Sequence, residues 1–135
     1  ITFTREQLIQ SAYIYLASSS KLIVDNLEKI TGKKLPIICG GGGSLNGLLM
    51  KYKASLLERE ILVLPTSELT ALGGALAAAS GVGDVQTVDR CIENLRPLKT
   101  EVDNNIIARL MEIFNRNSSR YSTIERERKI KFQEG

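Results

Sequence analysis

Four consecutive glycines, Gly40 to Gly43, stand in the stretch ICGGGGSLNGLLMKY, Ile38 to Tyr52, between an apolar run and a segment with helical spacing. Glycine loses more conformational freedom on folding than any other residue, so a run of it belongs where backbone takes positive φ or approaches something closely. A turn from the C-terminal end of a strand into a helix also leaves N–H groups unpaired at the positive end of the helix dipole. Such a turn suits phosphate or a nucleotide. The commoner nucleotide loops do not fit. From Gly42 the spacing reaches Gly47, but Leu48 and Leu49 stand where a P-loop requires Lys and Ser or Thr. The GxGxxG register fails as well, because Leu45 and Asn46 occupy the places of its last glycine. The bland reading is a flexible linker or a tight turn. Placement between a strand and an amphipathic helix opposes the linker, since flexibility would uncouple elements that must pack together.

Other chemistry is narrowed by what the chain lacks. It has no histidine, which removes imidazole acid–base work, His-based triads and His metal sites. Cys39 and Cys91 lie far apart without CxxC spacing, so they read as reduced, small hydrophobes outside any zinc site or disulfide framework. Carboxylates or backbone must carry any chemistry. The 135 residues are about one domain, 43% hydrophobic and 24% charged, an ordinary globular balance. No apolar run approaches the ~18 residues of a membrane span, and the first residues lack a secretory pattern. The expectation is a soluble, cytoplasmic protein. The net charge of +3 resides in residues 116–135, which hold six Lys or Arg against three Glu. Without interleaved aromatics this tail reads as a solvated helix face, with neither nucleic acid nor membrane as a partner. The chain opens on ITFTREQL without methionine, which suggests a piece of a longer polypeptide.

The elements that must hold the glycine turn follow from periodicity. Thr4 and Gln7 form a capping-box signature ahead of a long helix, with Leu8, Ala12, Tyr15, Ser19, Leu22, Ile23, Leu27 and Ile30 on its apolar face and Thr31-Gly32 as its stop. Leu35 to Cys39 is a short buried strand, and Pro36 to Cys39 its paired part. Ser44 predicts the N-cap of a second helix running to Glu58, with Leu45, Leu48, Leu49, Tyr52 and Leu56 on one face. Ile61 to Leu64 is a second strand, parallel to the first through a right-handed βαβ crossover. Ser67 and Glu68 supply the cap and first-turn acid of a third helix, SELTALGGALAAAS. Its small-residue run Ala71 to Ala79 reads as a helix packed closely on a neighbour. A short helix covers Gln86 to Leu95, and a loop begins at Arg96-Pro97. Asp103 then caps a final helix, with Val102 and Ile107 as a hydrophobic staple and Ile107, Leu110, Met111, Phe114 and Tyr121 as its buried stripe. Beyond Arg126 the pattern fails and the end is expected to fray. Two strands make a poor sheet, so partner strands are expected from elsewhere in a parent chain.

The combination of GGGSLN opening a helix, the strand ILVLP, and then ELTALGGALAAASGVG resembles the C-terminal domain of the FGGY carbohydrate kinases. Element order matches from Thr4 to about Tyr121, while the specific motifs lie in Gly41 to Asn46 and Glu68 to Ala75. The resemblance implies an α/β architecture, the helix-rich part of a ribonuclease-H-like, actin-like ATPase domain with a short parallel strand pair and flanking helices. Residues 1–135 would be a single C-terminal part of the nucleotide-binding domain. In such kinases two domains close on ATP, with Mg2+ expected in the full-length enzyme, and a sugar or polyol hydroxyl takes the γ-phosphate. The resemblance places the adenosine site at Gly41, Gly42, Gly43, Ser44 and Asn46. Gly42 would bring backbone against the ribose and phosphate side, and Asn46 would offer its amide to adenine. Gly41 and Gly43 would permit the approach, and Ser44 would cap the helix.

This chain departs from the family at several points. Lys51 and Ser55 stand where the family often has Gln and Asp, and Ile14 and Tyr15 where it has an acidic and a small residue. The catalytic Asp and the Asp-Gly-Thr phosphate loops of the family lie upstream, and Asp25, Asp84, Asp89 and Asp103 match none of them. No catalytic residue is therefore expected in this segment, which should not turn over alone. Its partners would be ATP or ADP and, through the missing part, the sugar or polyol; a homodimer stays open. A related ATPase that remodels a protein partner is the alternative, and an interaction module that has kept only the fold is a third reading.

Overall fold

The computed structural model describes the backbone of residues 2–133 and the side chains of residues 2–120. Helix α1 spans Arg5–Thr31. Thr4 accepts a hydrogen bond from the Gln7 N–H while the Gln7 side chain accepts one from the Thr4 N–H, so the capping box is formed. Gly32 ends the helix in the left-handed region at φ 66°, a conformation that glycine adopts without strain. Strand β1, Ile38–Cys39, leads into a 3-10 turn at Gly42–Leu45 and then helix α2, Gly47–Leu57. Strand β2 is Ile61–Val63, helix α3 Leu69–Gly81, helix α4 Val85–Asn94, strand β3 Leu98–Thr100 and helix α5 Asn104–Gln133.

The strands form one sheet in the order β1-β2-β3. β1 and β2 run parallel, with Ile38 beside Leu62 and Cys39 beside Val63, as the crossover argument expects. The sequence reading stopped at two strands, but β3 adds a third, antiparallel to β2, with Ile61 opposite Thr100 and Val63 opposite Leu98. The residues after Pro97 are therefore a strand, and the sheet is mixed.

Helix α2 occupies the middle layer. On one side Tyr52 and Leu56 meet Ala17 of α1 and Leu110 and Phe114 of α5. On the other, Leu49, Met50 and Ala54 meet Ile61 and Val63 of β2. A helix between two layers must be apolar over most of its circumference, and α2 buries Leu49, Met50, Tyr52, Ala54, Ser55 and Leu56. Leu45 and Leu48, assigned from sequence to its inner face, are exposed.

Helix α1 corrects the sequence reading more sharply. Its inward face consists of Ala17 and Ser18, with Tyr13, Ile14 and Leu22 packed against the core. Of the expected face, Leu8, Ile23, Leu27 and Ile30 are exposed, while Leu22 packs on that cluster. The helix carries two apolar stripes, and periodicity cannot say which of two faces meets a partner. Helix α3 is the reverse case: its alanine run was expected to pack closely on a neighbour, yet it has no buried residue. Its Ser67 and Glu68 expectation also shifts, since Glu68 is the N-cap position and makes no side-chain capping bond. In α5, Leu110 and Phe114 are buried and Met111 packs beside them, joined by Ile106. Tyr121 lies outside the described side chains. The helix runs to Gln133, through the stretch beyond Arg126 where the apolar pattern fails.

Candidate functional site

The glycine run is not uniform. Gly41 sits at φ 91°, where an L side chain is strained, and a Cβ on Gly40 would collide with the end of the Leu69 side chain. Gly42 and Gly43 have neither constraint: a Cβ on either would meet nothing within 4 Å. The fold itself thus favours glycine at Gly41 through its φ, and at Gly40 it accepts a side chain only if the end of Leu69 shifts. At Gly42 and Gly43 the absence of side chains leaves open space.

Ser44 closes the turn. Its N–H and its hydroxyl both donate to the Gly41 carbonyl, at 3.0 and 2.7 Å, and the residue is buried. It was expected to cap α2, but that role belongs to Asn46. Asn46 Oδ1 accepts from the Leu49 N–H at 3.0 Å, three residues into the helix, as N-cap geometry requires. The reason is the single 3-10 turn inserted between the glycines and the helix, which moves the helix start from Ser44 to Gly47. Because Oδ1 faces the Leu49 N–H, the other amide atom is Nδ2, and it donates to the Tyr13 hydroxyl at 2.6 Å. Gln10 Nε2 donates in turn to the Tyr52 hydroxyl at 3.0 Å. Two amide–tyrosine bonds therefore tie α1 to α2 just beyond the glycine loop.

The expected site residues Gly41, Gly42, Gly43, Ser44 and Asn46 are contiguous on one strand–turn–helix connection. Sequence reading missed Tyr13, thirty-three residues away from Asn46 along the chain. A tyrosine among aliphatic residues on a helix gives no signal beyond core packing.

Lys51 and Ser55, the two departures on α2, share one partner. Lys51 Nζ lies 2.7 Å from Asp103 Oδ2, and the Asp103 N–H donates to the buried Ser55 hydroxyl at 2.9 Å. Asp103 Oδ1 accepts from the Asn105 N–H at 3.0 Å, so it caps α5 as expected. The bond from Lys51 and then the Asn105 N–H hold its carboxyl below the usual aspartate range. Together these groups fasten the start of α5 to α2.

A cavity of about 340 Å³ lies at the far end of α1, walled by Val24, Leu27, Leu35, Pro36 and Ile38 with the Arg59–Glu28 ion pair beside it. It includes none of the loop residues. Both cysteines are free and half-buried. Among the described residues no helix is long and apolar enough to cross a membrane.

Residues 2–82 match the family model of the FGGY carbohydrate kinases, C-terminal domain. Glycerol kinase 1 of Lactiplantibacillus plantarum is 30% identical over 95 residues, covering 70% of this chain and 19% of that protein. L-fuculokinase of Haemophilus influenzae is 30% identical over 103 residues, covering 76% of this chain and 22% of the other. The crystal structure of xylulose kinase from Rhodospirillum rubrum superimposes with a TM-score of 0.65 at 23% identity, over 93% of this chain and 25% of that one. It supports the fold, the helix-rich part of an actin-like ATPase domain. The chain spans about a fifth of the length of the curated relatives it matches. From the matched model and these relatives together, the chain belongs to the FGGY family of carbohydrate kinases, through their C-terminal domain.

Proposed function

We propose that this chain is the ATP-facing C-terminal segment of a cytoplasmic kinase that transfers the γ-phosphate of ATP to a hydroxyl of a sugar or polyol. It would act as part of a longer polypeptide that brings the acceptor site, the phosphate loops and the catalytic carboxylate. The observation that carries the reading is the open backbone at Gly42 and Gly43, where the fold gives no steric reason for glycine. A nucleotide lying against that backbone supplies one. Asn46 fits the adenine role, because its amide has two N–H donors and a carbonyl oxygen with two lone pairs. One donor and one lone pair are engaged by Tyr13 and Leu49, leaving one of each for a base edge. Ser44 fits a supporting role only, since its hydroxyl is buried and bonded to Gly41. Leu45 and Leu48 leave exposed apolar surface next to the loop in sequence, which suits a flat heterocycle.

Phosphoryl transfer depends on positioning and on charge stabilisation around the phosphates, and in this reading the segment's share is to hold the adenosine end. Among the described residues no cluster of three or more Cys, Asp or Glu is placed to hold a metal ion. The Mg2+ proposed for the parent enzyme would take its ligands from the phosphates and from other parts of the polypeptide. The related protein-remodelling ATPase is not favoured, because the relatives reported above are sugar and glycerol kinases.

The test uses Gly42→Val and Asn46→Ala in the complete polypeptide, with ATP and acceptor affinities measured separately beside thermal unfolding. Gly42→Val should abolish or strongly weaken ATP binding with the fold intact, since its Cβ meets no protein atom. Asn46→Ala should weaken ATP by roughly two- to twelve-fold, the loss of one neutral hydrogen bond, and lower stability through the lost cap. ATP affinity unchanged in both variants would reduce the glycine run to a structural turn.

A further inference from the structure

Tyr13 has the environment of a core residue and the reach of a site residue. Its half-buried ring packs against both apolar clusters, the one shared by α1, α2 and α5 and the one between α2 and the sheet. Its hydroxyl lies 2.6 Å from Asn46 Nδ2. Ring packing into two layers allows the phenol little freedom, so the oxygen is a fixed acceptor and not a mobile surface group. Asn46 is held at both ends of its amide: Oδ1 by the Leu49 N–H and Nδ2 by Tyr13. An amide rotates about χ2 in a broad, roughly two-fold well. The cap alone selects which edge faces the helix but leaves the plane loosely set. The second bond fixes the plane, and with it the direction of the remaining N–H.

We infer that Tyr13 is a positioning residue of the nucleotide loop, acting through Asn46 to aim its free amide donor at the base. This rests on the adenine-facing role proposed above for Asn46. Tyr13 touches no reacting atom. Its contribution is orientation: without it, Asn46 keeps its cap but samples more than one amide plane, and ordering that plane on binding weakens the nucleotide complex. Acceptor binding and the phosphoryl-transfer step do not depend on the amide plane.

The experiment compares Tyr13→Phe, Asn46→Asp, Asn46→Ala and Gly42→Val with the unaltered complete polypeptide, reading KM for ATP, KM for the acceptor, kcat and thermal unfolding. Tyr13→Phe keeps the ring in both clusters. It should raise KM for ATP by roughly two- to twelve-fold, the cost of ordering one side chain on binding, and by no more than Asn46→Ala does. KM for the acceptor and kcat should stay in place. Asn46→Asp keeps an acceptor for the Leu49 N–H and can accept from the Tyr13 hydroxyl, so it should hold its melting temperature while raising KM for ATP. A Tyr13→Phe variant that binds ATP normally while Asn46→Ala and Gly42→Val do not would overturn the positioning role and leave the loop assignment standing. Normal ATP binding by Asn46→Asp would overturn it too, since no amide donor would then need aiming. ATP binding unchanged in every variant would overturn the loop reading and the positioning role together.

Discussion

Helices α2 and α3 are of similar length, 11 and 13 residues, and α3 is the more uniformly apolar of the two. Yet α2 has six buried residues and α3 none. Apolar composition therefore does not decide burial here. α2 lies between two layers and carries side chains long enough to reach both: Tyr52 and Leu56 toward α1 and α5, Leu49 and Met50 toward the sheet. α3 follows the sheet's short second strand and meets α4, whose residues are not buried either. Alanine and glycine side chains reach little, so a helix made of them buries area only where a second backbone comes close. The same contrast holds for glycine. Gly41 is required by its φ of 91°, whereas Gly73 and Gly74 sit inside a helix with open space around them.

The largest expected effect tests the burial contrast. Leu56 is fully buried in the middle layer, and Leu56→Ala should destabilise the chain by about 2–5 kcal/mol. Leu76, half-buried on α3, should lose less than about 1.5 kcal/mol on truncation, because less area returns to water. Urea unfolding of the two variants gives the comparison directly, and equal losses would break it. Glycine replacement comes next and should change sign between the regions. Gly41→Ala puts a Cβ on a backbone at φ 91° and ψ 175°, a region essentially reserved for glycine, and should cost about 1–3 kcal/mol. Gly74→Ala removes flexibility from the unfolded chain without strain and should stabilise by about 0.4–1 kcal/mol. Thermal melts shifted in the same direction would show that the loop backbone relaxes away from its positive φ.

The smallest effect sharpens how each region is fastened. Asp103 and Asp84 both have carboxyls held below their ordinary 3.8, Asp103 by Lys51 and the Asn105 N–H, Asp84 by the Thr87 side chain and N–H. A carboxyl lowered on folding adds stability that is present above its unfolded value and is lost as pH falls through the lower folded value. The loss therefore belongs below about pH 4. Asp103→Asn should flatten that part of the acid-unfolding curve by removing the tie to α2. Asp84→Asn should flatten it less, since it serves only the exposed helix α4. Acid titrations followed by circular dichroism would show whether the two slopes differ in that order.

Much of the fold was legible because its signals are local. Thr4 with Gln7, Gly32 after Thr31 and Asp103 before α5 each act through hydrogen bonds spanning at most four residues. Such bonds form wherever the surrounding fold permits. The parallel pairing of β1 and β2 was legible for a different reason, since two neighbouring strands joined through a helical crossover run in the same direction. The candidate site was legible as a stretch but not as an arrangement. Composition pointed to Gly41 through Asn46, but Ser44 was assigned the cap because a serine after a glycine run is a good capping residue. The intervening 3-10 turn left no mark in the sequence. Strand β3 escaped because Leu98-Lys99-Thr100 is too short for a period and gains its structure from pairing with β2.

By itself, the sequence determined both ends of α1, the cap that opens α5, the parallel pairing of β1 with β2 and the family to which the glycine turn and the small-residue helix belong. These depend on backbone conformations and side-chain bonds within a few residues, and such energies are nearly independent of the rest of the molecule. Only the tertiary structure decided which of two apolar stripes on α1 faces the core, that α2 is enclosed while α3 is not, and that Lys51 and Ser55 meet at Asp103. It also decided that a tyrosine in the first helix reaches the asparagine at the end of the loop. Contacts between residues tens of positions apart form only after the layers have packed, and packing selects among faces that the chain's periodicity leaves equivalent.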